Sequence, residues 1–263
     1  MPTKLKQNFS FLFKWNIWKI IFDNHLPLMA IELRDLEDKK TDIVLIDYQK
    51  ANIQAFSAPE MAWLSGPVGM SNGRLLLQKF KDLQFPDPKG FVIFDVFKQQ
   101  TLVEENDGSF AFFSDNKAIT TRIFFDQIIF ESYDLVTGII EELDQETRKK
   151  LTPEEVKISL PLQYNEGNVH FSTVSTFVKK CTNKEAIKGV EYLETATTII
   201  VSYYIRAHEK LENFLLITDG EGVVMEDILL DSDLPGMSKD TFFVKDNHLY
   251  FVKNKKEIQS YAL

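Results

Sequence analysis

The chain has almost no cysteine: Cys181 stands alone among 263 residues. A single thiol forms no internal disulfide, so a reducing compartment suits the protein. Glycine (11) and proline (9) are scarce, which excludes a fibrous or low-complexity repeat. Positive charge is short as well. Lys and Arg number 30 against 39 Asp and Glu, leaving a net charge of −9 and a pI near 5.1. The lysines are interleaved with acids rather than striped, which argues against nucleic acid and against an anionic membrane surface as partners. No hydrophobic run approaches the roughly 18 apolar residues of a membrane span. The N-terminal stretch MPTKLKQNFSFLFKWNIWKIIF has the Lys-then-apolar outline of a secretion signal. Lys14, Asn16 and Lys19 interrupt it, and no small-residue cleavage site follows. A cytoplasmic location is expected.

What is plentiful is aromatic: 22 Phe, and 13% Phe, Trp and Tyr together. These residues favour pleated, half-buried surfaces. In Phe9-Ser10-Phe11-Leu12-Phe13-Lys14-Trp15 every odd position is aromatic, which predicts a strand with one apolar face. Short apolar segments then follow one another along the chain, among them LMAIELR (28–34), RLLLQKF (74–80), GFVIFDV (90–96), ITTRIFF (119–125) and IIFESYD (128–134). KISLPLQ (157–163) and VHFSTVSTFV (169–178) continue the strand pattern. Helix signals are few: QETRKKLTPEEVK (145–157) is charged and broken by Pro153, and Lys184 to Glu194 reads as a short helix or a loop. The expectation is an all-β chain.

The segments also repeat. IVLID ends at Asp47, FVIFD at Asp95, FESYD at Asp134 and FLLITD at Asp219. Asp47 to Asp95 is 48 residues, Asp95 to Asp134 is 39, and Asp134 to Asp219 is 85, close to twice 42. A degenerate copy is therefore expected near residue 176. About four strands per unit of this length is the pattern of a β-propeller blade. The Asp at each turn is expected to accept backbone N–H groups in an Asx-turn. The reading is a single propeller domain over residues 1–263, with about six four-stranded blades, five or seven remaining open. The N-terminal strand 9–15 is expected to close the ring by pairing with the C-terminal blade. A β-sandwich or a pair of stacked β-domains is the alternative.

Two resemblances accompany the repeat. The hairpin YDLVTGIIEE carries Asp134, Thr137 and Gly138 where the propeller repeat of quinoprotein dehydrogenases and outer-membrane assembly scaffolds has its Asp and Thr-Gly. Glu142 stands where that repeat has a Trp, so the resemblance implies fold and no quinone cofactor. More broadly, WKIIFDNHLPLMAIELRD (18–35), GRLLLQKF with PDPKGFVIFDV (73–96), IIVSYYI (199–205) and SKDTFFVKDNHLYFVKNKKEI (238–258) resemble an uncharacterised family of bacterial propeller-like proteins. That resemblance implies no activity.

Chemistry is sparse. His25, His170, His208 and His248 are not spaced as metal ligands, and no phosphate-cradling loop or nucleophile elbow occurs. Lys179 and Lys180 flank Cys181 and would lower its pKa, but no partner His is identifiable. No catalytic residue, metal or cofactor is expected, and the protein reads as non-catalytic. The two loops that best suit recognition are PEMAWLSGPVGMSNG (59–73), with Met61, Trp63 and Met70, and GVEYLE (189–194), with Glu191 and Tyr192. The expected function is a recognition scaffold that presents propeller-face loops to a protein partner, in an oligomeric state the sequence leaves open. The alternative is a propeller-type enzyme or small-ligand binder using acidic and Tyr residues in a central channel.

Overall fold

A computed structural model describes residues 5–54, 56, 63–82 and 87–263. Among the described residues the chain is all-β apart from two helices, and it divides into two compact units: Trp15–Val156, and Met1–Lys14 with Lys157–Leu263. Strand β1 (Lys6–Leu12) opens the chain. Three sheets of four consecutive strands follow: β2 (Asn16–Phe22), β3 (Leu28–Asp35), β4 (Lys40–Asp47) and β5 (Asn52–Ile53); β6 (Ser65–Ser71), β7 (Arg74–Phe80), β8 (Pro88–Asp95) and β9 (Gln100–Glu105); β10 (Ser109–Ser114), β11 (Lys117–Phe124), β12 (Gln127–Asp134) and β13 (Ile140–Glu142). Helix α1 (Gln145–Lys150) ends this part, N-capped by Asp144 and stopped ahead of Pro153. Strand β14 (Leu162–Asn165) and helix α2 (Val169–Thr182) precede β15 (Ile187–Glu194), β16 (Thr198–Ala207), β17 (Lys210–Asp219) and β18 (Val224–Leu234). β19 (Phe242–Lys245), β20 (His248–Lys253) and β21 (Glu257–Ala262) come last.

All pairings between these strands are antiparallel, and each sheet is a meander, with one exception in chain order. The last sheet runs β1-β21-β20-β19, so the first strand lies beside the last. Phe9 pairs with Ser260 and Phe11 with Ile258. The odd-numbered aromatic face is buried at Phe9 and Phe13, as its alternation predicts.

Within the unit Trp15–Val156, the middle sheet is apolar on both faces, and the side-chain alternation decides which neighbour each residue meets. Leu75, Leu77, Phe94 and Val96 cluster with Leu28, Ala30, Ile43 and Leu45 of the first sheet. Leu76, Phe91 and Ile93 cluster with Phe113, Ala118, Tyr133 and Leu135 of the third. In the other unit the same rule splits β16 and β17. Ile200, Leu215 and Ile217 pack with Phe242, Leu249 and Phe251, while Val201, Tyr203 and Leu216 pack under Val174 and Val178 of α2.

That helix corrects two expectations. Residues 169–178 are helical, not extended, and the fourth repeat expected near residue 176 is absent from that stretch. Five sheets form among the described residues, four of four strands and one of five. The β-branched Val and Thr residues argued for a strand, but Phe171, Val174, Phe177, Val178 and Cys181 fall at helical spacing and need only one face covered. Asn168 caps the start by accepting from His170 N, and Asn183 ends the helix in the left-handed region. The other correction is Lys184–Glu194, which is neither helix nor loop over most of its length: β15 pairs with β14 and β16 there.

The turn carboxylates act as expected. Asp95 Oδ1 accepts from Phe97 N and Lys98 N, Asp134 Oδ1 from Val136 N and Thr137 N, Asp219 Oδ1 from Glu221 N and Val223 N, and Asp47 Oδ1 from Lys50 N. Asp23 does more. It accepts from His25 N and Leu26 N in its own turn and from Asn72 N and Gly73 N in the turn of the next sheet, at 2.7–3.1 Å. Glu154 joins three sheets: Asn24 Nδ2 and Ser71 Oγ donate to it at 2.8 and 3.0 Å, Asn116 N at 3.5 Å, and His25 Nε2 lies 3.1 Å away.

Two outcomes follow for stability. Asp23→Ala removes one acceptor from four amides and lowers the unfolding free energy by roughly 2–4 kcal/mol, read by urea denaturation. Burial works to raise the Glu154 pKa, but the donors Asn24, Ser71 and Asn116 outweigh it and hold the pKa below the ordinary value. The stability from this group is therefore full above the usual carboxylate range and is lost as pH falls through the lowered value. Glu154→Gln lacks that increment, so its denaturation midpoint falls less than that of the wild type between pH 7 and about pH 3.

Candidate functional site

The residues singled out from the first loop separate in the structure. Met61 lies outside the described residues. Met70 is fully buried on β6 and belongs to the core shared by the first two sheets, so it offers nothing to a partner. Trp63 is half-buried and stacks on Arg34, whose guanidinium carbon is 4.9 Å from its ring centre and 5.0 Å from that of Trp18 on the other side. Arg34 Nε donates to Glu32 Oε1 at 2.6 Å. Burial raises the Glu32 pKa, with Arg34 opposing. The carboxylate occupies the space beside Gly66, where an added Cβ would come within 3.1 Å of it. This is a Trp–Arg–Trp stack over a buried ion pair, with Trp18 on its outer side 56% exposed.

Glu191 and Tyr192 are neighbours on β15 and therefore face opposite ways. Glu191 is buried, accepting from Asp240 N at 2.6 Å, Thr241 N at 3.0 Å and Thr241 Oγ1 at 2.6 Å. Burial raises its pKa against those donors. It anchors the segment leading into β19. Tyr192 faces the helix side of its sheet and lines a cavity of about 330 Å³ with Tyr164, His170, Thr173, Val174, Phe177 and Ile199. Its hydroxyl donates to Glu194 Oε2 at 2.7 Å. Burial, with Glu194 adding to it, pushes the Tyr192 pKa up to about 12. Cys181 sits in the last turn of α2, with its thiol 3.6 Å from the Gly222 carbonyl. Burial pushes its pKa up and Lys180 only partly opposes, so the lowering expected from the flanking lysines is not found.

A third feature escaped the sequence reading. The β11–β12 hairpin turns on Phe125 and Asp126, both at positive φ (46° and 64°). Three other two-residue turns share this geometry, and they use Asn72-Gly73, Asp115-Asn116 and Asp246-Asn247. Those are the residues that tolerate it. Phe125 is not, and it is 86% exposed. Ile123, Phe124 and Ile128 beside it are 71%, 52% and 64% exposed. The two rings pack edge to face at 4.5 Å, with Arg122 5.7 Å from the Phe124 ring. The clue was the missing turn residue: IFFDQII places no Gly or Asn where the chain must reverse.

Residues 22–103 match a family described as Domain of unknown function (DUF4905). The expected resemblance to an uncharacterised family is met over that stretch, which contains the first two sheets. No curated protein matches. Among solved structures, the chain is similar to TolB from Acinetobacter baumannii at 12% identity, covering 94% of this chain and 55% of that one, with a TM-score of 0.32. It is also similar to the β-propeller domain of the Trilobed protease from Pyrococcus furiosus, which has an open velcro topology, at 13% identity, covering 92% and 78%, with a TM-score of 0.32. BamB from Moraxella catarrhalis follows at 8% identity, 98% and 83% coverage and a TM-score of 0.23. The chain spans about half the length of the TolB chain it matches. Likenesses of this size carry no argument about activity. Among the described residues, no helix is long and apolar enough to cross a membrane.

Glu191→Ala would leave three donors of the 240–241 segment without their acceptor. The expected loss is roughly 1–3 kcal/mol, with faster amide hydrogen exchange at Asp240 and Thr241 as the local signature.

Proposed function

We propose that the protein is a non-catalytic recognition scaffold whose protruding hairpin, Ile123 to Ile128, docks into an apolar socket on a partner protein. In this reading the five sheets are blades of one propeller domain, and β1 closes the ring by its place beside β21. Support for the blades comes from the four-stranded meanders and from apolar faces that alternate between neighbouring sheets. One observation carries the functional part: a bulky phenylalanine held at positive φ and exposed at the tip of a tight turn. The left-handed region costs a residue of this kind about 1–2 kcal/mol relative to its preferred conformations. An exposed apolar cluster adds the cost of solvating it. Folding alone gains nothing from either, whereas an aromatic anchor on a rigid hairpin is what a partner's pocket selects.

Phe125→Asn is the discriminating variant. It suits the turn, so thermal stability should hold or rise by the equivalent of about 1 kcal/mol. A photo-crosslinking amino acid at position 125, introduced in the native cell, should trap one discrete protein, and the same group at the exposed Val136 should not. Phe124→Ser with Phe125→Asn should abolish complex formation with that protein. Adducts only to a second copy of the chain, or flotation of the wild type with neutral phospholipid vesicles that the double variant loses, would overturn the reading.

A further inference from the structure

The cavity beneath α2 is not used by the proposed docking hairpin, and its lining is chemically consistent. Four aromatic rings contribute to it: Tyr164 from β14, His170 and Phe177 from α2, and Tyr192 from β15. Tyr164 and His170 lie with ring centres 5.1 Å apart and planes tilted by 36°. Val174 and Ile199 complete an apolar floor. At about 330 Å³ the space falls at the small end of ligand pockets.

The hydroxyls of α2 distinguish the cavity side from the rest of the helix. Ser172, Ser175, Thr176 and Thr182 each donate to a helix carbonyl three or four residues back, the usual use of such side chains in a helix. Thr173, which lines the cavity, makes no such bond, and neither it nor the Tyr164 hydroxyl nor the His170 ring has a hydrogen-bond partner among the described residues. Tyr192, which lines the cavity, gives its proton to Glu194, and its oxygen keeps the capacity to accept. Aromatic walls, an apolar floor and polar groups with spare capacity are the features of a small-ligand site.

We infer that this cavity binds a small, flat, uncharged aromatic compound bearing an N–H or O–H donor, of the indole or phenol class. The ring packs against the touching Tyr164–His170 pair and Phe177, and its donor reaches the Tyr192 oxygen. Glu194, behind Tyr192, disfavours an anionic ligand. The inference is independent of the docking hairpin, since the two sites share no residue.

Indole is the probe, with cyclohexanol as a non-aromatic control and benzoate as an anionic one, each titrated into the full chain by saturation-transfer NMR. Saturable transfer to indole is expected, with neither control competing. His170→Ala, which removes one wall from the exposed first turn, should weaken indole about two- to tenfold, as the loss of one ring–ring contact requires. Thr173→Trp fills the cavity and should abolish binding, while Thr176→Trp adds the same ring at a position that does not line it and should leave binding unchanged. Circular dichroism confirms that each variant is folded. Absence of saturable transfer, equal competition by cyclohexanol or benzoate, or undiminished binding in Thr173→Trp would overturn the inference.

Discussion

A sheet of four short strands with two apolar faces cannot stand alone in water, and this constraint organises the protein. The middle sheet of the Trp15–Val156 unit shows it most plainly. Along β7, Leu75 and Leu77 go one way and Leu76 the other, and each is fully or almost fully buried. Each such side chain contributes roughly 1.5–3 kcal/mol as an upper bound. That return is collected only if a second layer lies on each side. Repetition is thus a packing solution, which explains how a chain can repeat a hairpin several times while carrying little chemistry in it.

Stacked apolar layers do not fix their own relative register, because hydrophobic burial has no direction. The carboxylates at the turns supply direction. Asp23 reads the backbone of two turns in two sheets, and Glu154, reaching from a connecting segment, touches the turns of three. Asp95, Asp134 and Asp219 do the local version of the same work, shaping one turn each. The acidic composition is partly explained by this use. On one face of the β15–β17 sheet α2 performs the covering, and because a helix is rounder than a strand layer it leaves a cavity along its flank.

Period-2 alternation made most strands legible in the sequence, and the recurring Asp marked the turns whose amides its carboxylate accepts. Pairing with the last sheet was expected of the aromatic segment 9–15, and the structure pairs Lys6–Leu12 with β21. The failures have physical causes. Residues 169–178 are rich in β-branched side chains, and local preference pointed to a strand, whereas the apolar stripe at 171, 174, 177, 178 and 181 is decided by the sheet beneath it. Misreading that helix also misplaced β15, so Glu191 and Tyr192 were taken for loop residues. Of the five residues singled out for recognition, Tyr192 reaches a cavity, Met70 and Glu191 are core, Trp63 is committed to Arg34, and Met61 lies outside the described residues. The exposed Phe125 was missed because ITTRIFF reads as a strand through residue 125, whereas the pairing ends at Phe124 and the turn takes Phe125 and Asp126.

The strand β1 has a consequence for how the chain is made. Ser10 and Glu257, joined across the β1–β21 pair, are 247 residues apart in sequence. During synthesis the other sheets, built from neighbouring segments, acquire their strands one after another, but β1 finds no partner until β2 to β20 have been translated. Its aromatic face must wait, unpaired, until β21 has left the ribosome. The late pairing of β1 is therefore an aggregation-exposed step in this protein's birth, and a chaperone that shields that strand early would act on it.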